Sequence, residues 1–254
     1  MFIEASALNP TGTPEGQDVD RQLPQRVIQG PDFALLGGEH LLALALILAL
    51  AWIVGRVAPR DHRFRLAWVM VVLLIAQEVV KLYFFVGVYD QSWKQSLPLD
   101  LCRVNQFLCV YMLVRHSYRV FEVAYFWAMG GSLGALITPD IAYGFPDPRF
   151  LLFFFSHGLV VLATLYAIFG YGFRPRLRSV AVALGITGGY ALIVACLNYL
   201  LDTNYLFLRA KPEVPTVLDF LGPSPIYVLG LFGLAILVCF LCYAPFALIR
   251  RYGR

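Results

Sequence analysis

Seven apolar stretches, each long enough to cross a bilayer, fill most of this chain and leave little room for any other architecture. They run over residues 35–57, 64–88, 97–115, 118–138, 149–172, 178–202 and 224–249. Each is roughly 19 to 26 residues long, against a need of about 20 for a membrane-crossing helix. Barrel strands would instead be about 10 residues with strict alternation, and that pattern is absent. The 254 residues are 59% hydrophobic and 14% charged, whereas soluble domains are about 45–50% apolar and about 25% charged. The expected fold is therefore an all-α membrane protein, a seven-transmembrane-helix bundle in the cell membrane, with one domain over residues 35–254.

Residues 1–34 differ from the rest. Asn9-Pro10, Thr13-Pro14, Gly16, Pro24 and Gly30-Pro31 break any helix, and no apolar run precedes them. A flexible polar tail is expected here rather than a cleavable signal peptide.

The net charge of +4 does not point to nucleic acid, because the basic residues report topology. Arg56, Arg60, Arg63, Arg65, Arg115, Arg119, Arg174, Arg176, Arg178, Arg250, Arg251 and Arg254 fall on one side, 12 in all. Arg21, Arg26, Lys94, Arg149, Arg209 and Lys211 make 6 on the other, and Lys81 and Arg103 lie within helices. The positive-inside bias places the C-terminus in the cytoplasm and the N-terminus outside. The five cysteines all fall in apolar helices. They do not form a disulfide framework, and Cys239 and Cys242 read as packing despite their C-x-x-C spacing.

Polar groups inside the spans gather toward the outer side. At about 1.5 Å of rise per residue, Lys81 lies about 10 Å and Glu78 about 15 Å from the outer end of the second span. The third span carries Asp100, Cys102, Arg103, Asn105 and Gln106 within about 14 Å of that surface, and the fifth carries Ser156 and His157 about 11–12 Å down. Asn198 and Asp202 close the sixth, and Glu39 and His40 open the first. Gln77, Glu78 and Lys81 share one helical face, as do Cys102, Asn105, Gln106 and Cys109. Glu78 can neutralise Lys81, and Asp100 can neutralise Arg103. A pocket walled by the first, second, third, fifth and sixth spans is expected.

A thiol and an imidazole at matching depth can form a nucleophile–base pair that attacks an acyl carbonyl. Lys81 or Arg103 would stabilise the thiolate or an oxyanion, and Asn105 or Gln106 would donate a neutral hydrogen bond. Charged groups in the membrane also suit solute binding or transport, and a scaffold with a buried salt-bridge core would need no chemistry at all. No metal site is expected, since only His157 lies deep. The seventh span has no lysine for a retinal Schiff base.

Several segments carry a family pattern. Leu97-Pro98-Leu99-Asp100-Leu101-Cys102 opens the third span, Gly134-Ala135-Leu136-Ile137-Thr138-Pro139-Asp140 closes the fourth, and Phe154-Phe155-Ser156-His157-Gly158 lies in the fifth. Asn204-Tyr205-Leu206-Phe207-Leu208, Lys211-Pro212 and Leu218-Asp219-Phe220-Leu221-Gly222-Pro223-Ser224-Pro225-Ile226-Tyr227 follow. Together, over roughly residues 35–250, they resemble the YwaF-like integral membrane proteins, whose animal branch is transmembrane protein 164. That branch is described as a lipid acyltransferase making polyunsaturated ether phospholipids. Its implicated cysteine and histidine match Cys102 and His157. The resemblance thus implies catalysis by Cys102 and His157 on membrane lipid, without a cofactor. Gln77, Glu78, Lys81, Asp100, Arg103, Asn105, Gln106 and Asn198 would shape the site. The chain departs from the family at Asp100, where histidine is frequent.

Overall fold

The computed structural model describes residues 31–211, 220–223 and 225–252. All of the expected tail except residues 31–34 lies outside them, as do Pro212, Leu218, Asp219 and Ser224 of the quoted motifs. The described residues form α-helices joined by short loops, with no β-strand beyond an isolated bridge between Asp32 and Tyr143. The helices are α1 (Gly38–Val57), α2 (Arg65–Leu82), α3 (Trp93–Ser96), α4 (Leu101–Arg115) and α5 (Tyr118–Phe126). They continue with α6 (Leu133–Ile137), α7 (Pro148–Phe169), α8 (Leu177–Leu201) and α9 (Tyr227–Tyr252). A π-helical turn, Tyr83–Val88, extends α2, and another, Trp127–Ser132, joins α5 to α6 as one span.

Six of these helical segments are long and apolar enough to cross a membrane: Gly38–Arg60, Arg65–Val88, Tyr118–Ile137, Pro148–Phe169, Leu177–Leu201 and Tyr227–Arg250. The expected third span is the exception. Its helix α4 has 15 residues, about 22 Å of rise, and is among the most polar in the bundle. It starts late because Leu97 precedes a proline, which holds Leu97 extended (ψ 143°). Asp100 is also extended, at the N-cap.

The bundle is built around α7. Of its most apolar window 78% is buried, against 0% for α9. It packs on α1, α2, α4, α5 and α6, so most of its surface meets protein, with Leu151 and Phe155 left exposed on one side. Its start is well specified. Pro148 occupies the first turn, where a missing N–H costs nothing, and the Asp147 carboxylate accepts the Arg149 N–H at 2.8 Å. The α9 helix lies at the edge, against α8 and the Trp127–Ser132 turn. A Cβ on Gly130 would stand 2.9 Å from Val238 Cγ1, so this close approach needs glycine. Gly134 has no such neighbour. All five cysteines are free thiols.

Asp61 organises the arginine-rich end. Its carboxylate accepts the N–H groups of Arg65 and Leu66, at 2.9 and 2.8 Å, and the Tyr166 hydroxyl at 2.9 Å. It therefore caps α2, a task that the N-cap residue Phe64 (φ 53°) cannot perform, and fastens the loop to α7. Burial pushes its pKa up, but the Tyr166 hydroxyl and the backbone amides prevail and hold it below the usual carboxylate value.

At the opposite end α4 is held by one ion pair. Arg103 donates Nε to Glu78 Oε1 at 3.0 Å, with Nη2 on the same oxygen. Its Nη1 reaches the carbonyls of Ser96 and Leu97, at 2.7 and 3.1 Å. Gln106 Nε2 donates to Glu78 Oε2 at 3.3 Å. The side chains of Arg103 and Glu78 are only 12% and 15% exposed. This corrects the pairing read from the sequence: Glu78 takes Arg103 across helices instead of Lys81 along its own. A buried carboxylate gains most from a planar cation with several donors.

Two outcomes follow for the protein in detergent micelles. Asp61→Asn should cost about 1–2 kcal/mol through the lost cap. The group's folded pKa is depressed, so its stabilisation is complete above the unfolded value of about 3.9 and fades as the pH falls through the folded value. Thermal melts of wild type and variant should therefore converge in acid. Glu78→Leu should cost about 3–5 kcal/mol by stranding the guanidinium, and Glu78→Leu combined with Arg103→Met should recover most of it. Equal melts for the single and double variants would show that the pair holds nothing.

Candidate active site

Beneath the Arg103 anchor lies a cavity of about 760 Å³, within the range of about 300–1,000 Å³ usual for ligand pockets. It sits at the end of the bundle where α2 finishes and α4 and α7 begin. Lys81, Leu82 and Phe85 form one wall, and residues from Gln91 to Arg103 form a second. The stretch from Gly131 to Tyr143, the first turns of α7, and Leu206 with Phe207 complete it. The fourth span thus lines the cavity, and the first and sixth spans contribute no lining side chain, contrary to the expected walls.

Cys102 and His157 both open on this space. Cys102 is the second residue of α4, in a first turn that the Asp100 side chain leaves uncapped. Backbone amides there have no partner within the helix. Gly131, in the π-helical turn, passes close to the sulfur: a Cβ on it would lie 3.9 Å from Cys102 Sγ. His157 reaches the cavity from α7. Its Nδ1 lies 2.8 Å from the Phe153 carbonyl, an acceptor, so Nδ1 carries the proton and Nε2 keeps the lone pair. The Phe153 ring, 4.2 Å away between centroids, holds the imidazole plane. Thiol and imidazole share the cavity without a hydrogen bond between them among the described residues. Such contacts often tighten only when substrate binds.

Five charged side chains line the same space: Lys81, Asp100, Arg103, Asp140 and Arg149. Lys81 forms no ion pair or hydrogen bond among the described residues, although it lies within electrostatic reach of Asp100, Glu78 and Cys102. Asp100 and Asp140 line the cavity as well. Arg103 touches the cavity with every donor nitrogen already committed.

The other residues singled out by the sequence lie outside the lining. Asn105 donates to the Ala124 carbonyl at 3.1 Å and joins α4 to α5. Gln106 supports Glu78. Gln77 is buried with neither side-chain polar atom bonded within the described residues. Asn198 accepts from Thr203 Oγ1 and Tyr205 N–H and donates to the Tyr205 carbonyl, closing the end of α8. His40 is likewise structural, bonded to Leu36 N–H and the Leu136 carbonyl.

Asp140 and Gly131 line the cavity although neither is among the site residues expected from the sequence. Asp140 follows Thr138-Pro139, a plain helix stop. An acid beside a break at the polar end of a span was the signal available.

Above the cavity the loops are tied by tyrosines. Tyr205 donates to the Lys94 carbonyl at 2.7 Å, Tyr190 to that of Leu99 at 2.6 Å, and Tyr227 to that of Phe207 at 2.6 Å. Two of these, Tyr205 and Tyr227, belong to the segments that carry the family pattern.

No curated protein and no solved structure matches the chain. A family model does match, that of the TMEM164 family, over residues 33–243. That range runs from just before α1 into α9 and takes in the whole cavity. The chain is a polytopic membrane protein that belongs to the TMEM164 family.

Proposed function

We propose that this protein transfers or hydrolyses acyl chains of membrane lipids, with Cys102 as nucleophile and His157 as general base. The observation that carries the reading is the convergence of these two side chains, from α4 and α7, on one cavity. His157 Nε2 takes the thiol proton, and the sulfur attacks the ester carbonyl carbon. The tetrahedral intermediate expels the lipid alkoxide, which leaves as an alcohol with the proton from His157, and a thioester remains on Cys102. A second hydroxyl, from a lysolipid or water, then gives its proton to His157 and attacks the thioester. The C–S bond breaks and the proton returns to sulfur. The uncapped amides of the α4 first turn and the Lys81 ammonium suit the oxyanion. Apolar lining from Leu82, Phe85, Leu152 and Phe153 suits an acyl chain. The cycle uses the chain's own side chains and no cofactor.

The reading places the cavity under the outer headgroups of the cell membrane. Counting α4, the chain crosses seven times, N-terminus outside and C-terminus in the cytoplasm. The 12 basic residues assigned to the opposite end support that orientation.

A second reading, solute binding or transport, is favoured by one observation: among the described residues Lys81 forms no ion pair, although Asp100 and Asp140 line the same cavity. It requires uptake that Lys81→Met abolishes and Cys102→Ser leaves intact.

The deciding assay is turnover of acyl-labelled phospholipid by the purified protein in liposomes. Cys102→Ala should abolish turnover, and His157→Gln should lower it by about 10²–10⁴-fold, the usual range for a general base. Full turnover in Cys102→Ala would rule out covalent catalysis.

A further inference from the structure

Behind the cavity wall lies a hydroxyl with nothing to do. Ser132 ends the π-helical turn Trp127–Ser132, is fully buried, and its Oγ has no hydrogen-bond partner among the described residues. Helical serines and threonines ordinarily bond back to a carbonyl one turn earlier. This chain does so repeatedly. Ser96 bonds to Ser92, Ser156 to Phe153, Thr164 to Val160 and Thr187 to Ala183, at 2.7–3.1 Å, while Ser179 bonds to Glu122 at 2.6 Å. Ser132 does not follow them: it ends a π-helical turn, across which the carbonyl four residues back, Ala128, receives the Leu133 N–H.

An unmade hydrogen bond at a buried donor costs about 1–3 kcal/mol, and π-helical turns inside α-helices are frequent at functional sites. The neighbouring side chain is Cys102: Gly131 packs on its sulfur, and the Ser132 hydroxyl lies next to the same atom. Cys102 and Gly131 face the cavity and Ser132 does not. The hydroxyl therefore stands behind the sulfur, where neither substrate nor water competes for it.

We propose that the Ser132 hydroxyl is a catalytic hydrogen-bond donor to the Cys102 sulfur, engaged when that sulfur is ionised. This rests on the acyl-transfer reading for its purpose, though not for its test. A neutral thiol is a poor acceptor, so the donor stays idle in the resting enzyme. When His157 Nε2 takes the thiol proton, charge appears on sulfur and the bond forms, with Ser132 keeping its own proton. A charge-assisted bond of this kind is about twice as strong as a neutral one.

The test is alkylation of the full-length protein in micelles by iodoacetamide, followed against pH. Cys102 is quantified by peptide mass spectrometry, since four other cysteines are free. Ser132→Ala should slow Cys102 alkylation about tenfold at neutral pH, equivalent to a one-unit rise in the midpoint. The high-pH plateau should not change. The same variant should melt at the wild-type temperature or above it, because it removes an unsatisfied group. An unchanged alkylation profile, or a lower melting temperature, overturns the proposal. The two readings fail separately. Full lipid turnover in Cys102→Ala sinks the acyl-transfer mechanism and leaves the alkylation result standing. Turnover that needs Cys102, with alkylation indifferent to Ser132→Ala, sinks the serine alone.

Discussion

The contact between Arg103 and Glu78 makes the rest of this structure possible. A helix with Asp100, Arg103, Asn105 and Gln106 on it has no place in hydrocarbon, where each charge carries a cost of several kcal/mol. Glu78, on the neighbouring helix, supplies the countercharge. Arg103 divides its donors between that carboxylate and the carbonyls of Ser96 and Leu97. One side chain therefore neutralises the helix, joins α4 to α2, and satisfies the extended backbone that leads into α4. Bound in this way, α4 can be short and begin below the end of the bundle. Its first turn, with Cys102, then points into a cavity rather than into headgroups.

Around this anchor the molecule divides into two ends with different tasks. The arginine-rich end is fastened by side chains that cap helices and tie loops, as Asp61 does for α2 and Tyr166. At the other end, polar groups without a structural partner collect. Among the described residues Lys81 has none and Ser132 has none, and one nitrogen of His157 stays available because the other is spent on Phe153. Polar groups in a low-dielectric surrounding are costly when unpaired. Their concentration around one thiol makes sense where a reaction supplies the missing partner.

Much of this was legible in the chain. The apolar segments and their lengths gave the architecture, since a hydrophobic run and a bilayer thickness can be compared directly. The clustering of polar residues toward one end of the spans pointed to the end of the bundle where the cavity lies, because helical rise converts position into depth. Pairings were less legible. Glu78 and Lys81 lie three residues apart and share a face, so local geometry joined them; the fold instead brings Arg103 from another helix with a better donor geometry. Asn198 looked like a site residue and is a helix-end clasp, since depth alone does not tell inward-facing from loop-facing. Ser132 carried no signal, because the π-helical turn that positions its hydroxyl packs against α7, α4 and α9, which are remote in the chain.

The sequence by itself determined that this chain is a bundle of membrane-crossing helices with its buried charge at one end. Burial of apolar runs and the cost of charge in lipid are local properties of composition and spacing. Tertiary structure alone decided which charges meet, which span falls short, and which side chains share the cavity. Those outcomes depend on the rotation of each helix about its axis and on contacts between residues far apart in the chain, and neither is encoded in any single segment.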